Sequence, residues 1–136
     1  WLEFRRVLFR SDDLRLLQIW IIPPKSGLPR LYGSKRYEEK DRINKFLNIV
    51  SSTNGTADIK IYQDINIYVS ELEIGKSLDF VINENRQVYF VQIEGSSTVN
   101  DITLDFGDAM EIVDINKLHI KALENSHFLF IEMAKV

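Results

Sequence analysis

From Glu38 onward, apolar and polar side chains alternate with a period of two, the spacing of half-buried β-strands. "IKIYQDINIYVSEL" is the cleanest case, with Ile59, Ile61, Ile65, Ile67 and Val69 in alternation. "QVYFVQIEGSSTVN" differs. Val88 and Phe90 share one face, while Tyr89, Val91 and Ile93 share the other. A strand that is apolar on both faces belongs in the middle of a sheet. "FLNIVSS", "KSLDFVIN", "ITLDFGDAMEIVD", "KLHIKAL" and "HFLFIEMA" complete the β pattern. Turns are expected in "TNGTAD", as a hairpin on Asn54-Gly55, and in "NENR". Only the short "EEKDRINKF" has helical composition. Upstream, "LRLLQIWIIPP" is a dense apolar strand stopped by Pro23-Pro24, and "KSGLPRLYGSKRY" is an irregular connection with the texture of an inter-domain linker. About eight strands at regular spacing predict an all-β sandwich or barrel.

The first eleven residues, "WLEFRRVLFRS", fit neither period. The codons CTG GAG TTC AGA CGT GTG CTC TTC CGA TCT translate to Leu2–Ser11 residue for residue, and that DNA resembles a common short-read sequencing adapter. The triplet before it there is TGA, which some organisms read as tryptophan, giving Trp1. Residues 1–11 are therefore expected to be a translated adapter, excluded from fold reasoning as a tag would be, with native sequence upstream of Asp12 missing. The alternative is a genuine basic arm.

Charge sharpens this division. The whole chain of 136 residues has a formal charge of -3, but Arg5, Arg6 and Arg10 against Glu3 make its start basic. The remainder holds 14 basic and 19 acidic side chains. So acidic a body repels phosphate backbones, and no nucleic-acid partner is expected. There is no apolar run of bilayer length and no secretory signal pattern, so no membrane partner is expected either. Cysteine is absent, which removes disulfides and thiolate chemistry and fits a cytoplasmic setting.

Three stretches resemble the pirin family of two-domain cupins, especially its quercetin 2,3-dioxygenase-like bacterial members. "LQIWIIPPKSGLPRLYGSKRY" is similar to the last strand of that family's N-terminal cupin and its exit linker. "IKIYQDINIYVSEL" is similar to the strand opening the C-terminal cupin, and "RQVYFVQIEGSSTVN" with "GDAMEIVD" to that domain's later strands. The resemblance spans residues 14–136. It implies a cupin-type jelly roll, a double-stranded β-helix barrel, preceded by an orphan strand and linker. Residues 12–41 would be the strand and linker, and 42–136 the C-terminal cupin. In the family, three histidines and a glutamate hold a divalent transition metal in the N-terminal cupin, which this chain lacks beyond its last strand. The parent would be a metal-dependent, quercetinase-like dioxygenase or a regulator. This half would be its metal-free structural partner, without enzymatic activity of its own.

The residues themselves offer little chemistry. A cupin metal site needs an His-x-His pair and a Glu on one strand and a further His beyond the Gly-Asp turn. "LDFVINENRQVYFVQIEG" has no histidine. His119 alternates with Leu118 and Ile120 and should point outward, and His127 after "ENS" should lie at a turn, so both are expected to be solvated rather than ligands. "DFG" at Asp105-Phe106-Gly107 stands without any other kinase motif and reads as a turn. Asn54-Gly55-Thr56 matches a glycosylation sequon, but the hairpin reading is preferred. Asp105, Asp108, Glu111 and Asp114 lack the spacing of a calcium loop and read as a solvated face. Tyr32, Tyr37, Tyr62, Tyr68 and Tyr89 are assigned to core and interface packing. No catalytic, cofactor-binding or metal-ligating residue is assigned. The competing class is a stand-alone β-sandwich that binds a ligand or a protein.

Overall fold

The structure is a computed structural model that describes residues 2–9, 14–22 and 25–135. It divides into two compact units, Trp1–Arg30 and Leu31–Val136. No helix among the described residues is long and apolar enough to cross a membrane.

The first unit is a two-stranded antiparallel ladder. β1 (Leu2–Phe9) pairs with β2 (Leu14–Ile21) in continuous register from Leu2 opposite Ile21 to Phe9 opposite Leu14. Neither feature was expected, since the opening residues fit no period and β2 was to stand alone. The physical reason lies in the backbone. An open strand edge takes any partner that can be extended, and the bonds it offers are independent of side-chain pattern. Along β2, Leu16 and Trp20 are exposed, and Leu17, Ile19 and Ile21 are half-buried. Pro23 and Pro24, the expected stop, lie outside the described residues, and the strand ends at Ile21.

The second unit is a two-layer β-sandwich of the cupin type. "EEKDRINKF" gives only a single 3-10 turn, Glu39–Asp41, closed at its start by the Asp41 carboxylate accepting from the Glu38 amide at 3.1 Å. The chain leaves it through Asn44, whose φ of 54° is outside the helical range, so no longer helix can propagate. Ten strands follow: β3 (Leu47–Ser52), β4 (Ile59–Ile61), β5 (Ile65–Leu72), β6 (Ser77–Val81), β7 (Arg86–Glu94), β8 (Ser97–Val99), β9 (Ile102–Leu104), β10 (Ala109–Ile112), β11 (Lys117–Ala122) and β12 (Ser126–Ala134). Six form one sheet in the order β10-β7-β12-β5-β3-β4, and four the other, β6-β11-β8-β9. The sheets face each other without closing into one continuous barrel ladder.

β7 is flanked by β10 and β12, in agreement with its two apolar faces. Its continuation into β8 breaks at Gly95, where the polypeptide passes from the large sheet to the small one. Gly95 has φ +74°, and a Cβ there would sit 2.2 Å from the Asn125 carbonyl oxygen, so no other residue fits. The Asn54-Gly55 hairpin is not formed. β3 and β4 pair in parallel, with Val50 opposite Ile59, so residues 53–58 must fold back over β3 and reverse again. Neither Asn54 nor Gly55 has the positive φ that a primed hairpin turn demands. Gly55 is needed for closeness instead, since a Cβ would lie 2.5 Å from the Cβ and Oγ of buried Ser51.

The core lies between the sheets. Val88, Phe90, Phe128 and Phe130 from the large sheet meet Val99, Leu118 and Ile120 from the small one. Phe46, Tyr68 and Phe80 pack against them. Phe46 contacts the edges of Phe80 and Phe130, and Tyr68 stacks on Phe130 at 5.1 Å between ring centroids. Each such pair adds about 0.5–1.5 kcal/mol beyond the burial of its area.

Candidate functional site

The resemblance would place a metal between the sheets, so the side chains there decide what this sandwich can hold. The inward positions of β7 are Val88, Phe90 and Gln92, and those of β12 include Phe128, Phe130 and Glu132. Gln92 is polar and engaged: its side-chain oxygen accepts from Ser97 Oγ at 2.7 Å and its amide donates to the Glu94 carbonyl at 2.8 Å. Aromatic rings, one engaged amide and one carboxylate held by Arg86 and Asn66 offer no convergent set of donors to a divalent transition metal, so the residues present do not fit one. Among the described residues, no group of three or more His, Asp or Glu side chains is placed to hold a metal ion.

At one end of the interior, charge replaces rings. Arg86, at the start of β7, forms a two-pronged pair with Glu132 of β12: Nε to Oε2 at 2.7 Å and Nη2 to Oε1 at 2.7 Å. Its third nitrogen donates to Asp64 Oδ2 at 2.6 Å, and Asn66 donates to Glu132 Oε1 at 3.0 Å. Glu132 is 7 % exposed, so both its oxygens depend on these partners. The hydrogen bonds to Glu132 raise the Arg86 pKa above its ordinary value. Nearby, burial pushes the Tyr68 phenol up, with the Glu132 charge adding to the effect. The sequence carried one overlooked sign of this network. An acid inside the apolar run "HFLFIEMA" cannot be buried unpaired.

The two histidines separate. His119 is on the exposed face of β11, with Nδ1 2.6 Å from Asp79 Oδ1 across the strand pair. Lys117 Nζ stands 3.5 Å from the other oxygen. The hydrogen bond with His119 holds the Asp79 carboxyl below the usual carboxylate range, and the Lys117 charge assists. His127 is not at a turn and is not fully solvated. It is the second residue of β12, half-buried, because β12 begins two residues before the apolar run that starts at Phe128. It lines an open cleft of about 260 Å³ with Glu39, Glu71, Glu73 and Glu94. Among these acids, Glu71 accepts from Arg42 Nε at 2.9 Å and Glu73 from the Asn44 side chain.

The acids of the "DFGD" region act locally. Asp108 Oδ2 accepts from the Asp105 amide at 2.9 Å, Asp105 Oδ1 accepts from Ser96 Oγ at 2.9 Å, and Asp114 pairs with Lys135. Glu111 is exposed on β10. Gly107, with φ 81°, turns the backbone between β9 and β10. Of the tyrosines, Tyr32 takes no part in the core, being 97 % exposed, and Tyr37 buries its hydroxyl without a hydrogen-bond partner.

A family profile described as the quercetinase C-terminal cupin domain matches residues 48–133, which are β3 to nearly the end of β12. The chain belongs to this family. A pirin-like protein of Caulobacter vibrioides is 30 % identical over 124 residues, covering 90 % of this chain and 53 % of the relative. A quercetin 2,3-dioxygenase of Escherichia coli K12 is 25 % identical over 126 residues, covering 93 % and 53 %. The crystal structure of YhhW from Escherichia coli superposes with a TM-score of 0.80 at 24 % identity over 93 % of this chain and 53 % of that one. A second YhhW structure, described as bacterial pirin in complex with nickel(II), gives 0.78. The protein thus spans about half the length of the relatives it matches.

Proposed function

We propose that this chain is the C-terminal half of a two-domain, pirin-like protein, and that its own interior binds no transition metal. In this reading it serves as the structural partner of an N-terminal cupin, which supplies the metal-dependent, quercetinase-like chemistry. Residues 1–11 are then an adapter translation, 12–41 the last strand of the N-terminal domain with its linker, and 42–136 the C-terminal cupin. One observation carries the reading. The inward positions of the sandwich hold a packed ring cluster of Phe46, Tyr68, Phe80, Phe90, Phe128 and Phe130 instead of convergent imidazole and carboxylate. Filling that volume with rings stabilises the half and excludes a solvated ion.

The test is metal analysis of the purified protein after incubation with iron, manganese, nickel and copper salts and dialysis. Well under one equivalent is expected. A stoichiometric metal lost in His119→Ala or His127→Ala would overturn the reading and restore a catalytic role to this half.

A further inference from the structure

Asn54-Gly55 is left without the hairpin role its sequence suggested, and its chemistry has a use for the loop it occupies instead. We propose that Asn54-Gly55 is a fold-gated deamidation site: closed while residues 53–58 are seated on β3, and converted irreversibly once that loop lifts.

In the reaction, the Gly55 amide nitrogen attacks Asn54 Cγ. A bond forms between those two atoms, the bond from Cγ to Nδ2 breaks, and Nδ2 leaves as ammonia, carrying away the proton lost from Gly55 N. Water then opens the succinimide at either carbonyl, leaving an aspartyl or isoaspartyl residue at position 54. A glycine in second place favours the step because no Cβ crowds the nucleophile. Asn54 is exposed, so water can enter and ammonia can leave.

The seated loop withholds the nucleophile. Gly55 N donates its proton to the Ser52 carbonyl at 2.9 Å. Turning that nitrogen toward Asn54 Cγ breaks this bond and moves Gly55 against its surroundings. The Gly55 carbonyl is held by Lys60 Nζ, and Ala57 N donates to Ser51 Oγ at 3.2 Å. The loop therefore has to lift before the ring can close. Return of the isoaspartyl product is opposed as well. Gly55 lies so near Ser51 that even a Cβ would be 2.5 Å away, and an isoaspartyl link adds a methylene to the backbone one residue earlier. Conversion also adds a negative charge to a loop that already carries Asp58.

The experiment holds the 136-residue protein at mildly alkaline pH, in native buffer and in strong denaturant, and follows position 54 by peptide mass mapping. Conversion in native buffer is expected to be slower by at least about tenfold, the ratio that about 1.4 kcal/mol of loop opening sets. Lys60→Gln, which releases the Gly55 carbonyl, should speed the native reaction and leave the denatured rate unchanged. Equal rates in the two buffers would overturn the gate. An unchanged native rate in Lys60→Gln would remove Lys60 from it. Faster conversion of another asparagine in denaturant would overturn the choice of site.

Discussion

β2 and β7 share an apolar texture and live in different circumstances. Both are apolar on two faces, the texture of a strand enclosed on all sides. β7 is enclosed at its edges and on one face: β10 and β12 pair its edges, Val88 and Phe90 are 1 % and 0 % exposed, and Tyr89, Val91 and Ile93 on the other face are half-buried. β2 has one described neighbour, β1, and leaves Trp20 53 % exposed. Apolar texture states what a strand is suited to, and only the neighbours decide whether that suitability is used. The mismatch at β2 supports the proposal that its sheet lies in another domain.

Substitutions can break this comparison where it is strongest. Phe90→Ala on β7 removes a ring with no exposed surface, and should lower the unfolding free energy by about 3–5 kcal/mol in a urea titration. A loss under about 1 kcal/mol would mean that the ring cluster is not the core. Glu132→Gln, beside β7, keeps the shape but removes the charge that Arg86 grips with two bonds. About 1.5–3 kcal/mol should be lost, the worth of hydrogen bonds to a charged group. The Tyr68 phenol should move down at the same time, because one of the causes that raise it is gone. On β2, Trp20→Ser should change stability by less than about 0.5 kcal/mol and improve solubility, as befits an exposed apolar side chain. If it unfolds the sandwich, β2 belongs to this domain and the contrast fails.

The smallest effect concerns the exposed pair. The Asp79 carboxyl is depressed, so its contribution favours the folded state above its unfolded pKa and disappears as pH falls through the folded value. Asp79 is well solvated, so the stability change is minor. His119→Ala should instead be read in a carboxylate titration by NMR, where Asp79 should rise toward the ordinary range. No movement would show that Lys117 alone holds it down.

The all-β class and the central place of β7 were legible because alternation is a direct record of which face is buried. β11 shows it best, with Lys117, His119 and Lys121 exposed and Leu118, Ile120 and Ala122 buried. The parallel pairing of β3 with β4 was not legible. Asn-Gly announces a reversal, but the second reversal in residues 53–58 depends on Ser51 and Ala57 meeting across the fold. The partners of Glu132 were hidden for a related reason. Arg86 is 46 residues away in sequence, and nothing local links the two. His127 misled because β12 starts in polar residues, Ser126 and His127, before its apolar run. The pairing of β1 with β2 was not legible either, since a strand edge offers its backbone bonds to any extended partner.

The position of β12 has a consequence for how the protein is made. Of the described strands it leaves the ribosome last, yet it sits third of six in the large sheet, between β7 and β5. A nascent polypeptide stopped before Ser126 holds two separate pieces, β10-β7 and β5-β3-β4, whose inner edges have nothing to join them. Translation adds roughly 5–20 residues each second, so those edges stay open for seconds while earlier strands are already in solution. The domain therefore completes its fold only once β12 has cleared the exit tunnel. A message cut short ahead of Ser126 would yield a product lacking the middle of its sheet, not merely its tail, and that product would be a substrate for chaperones and proteases.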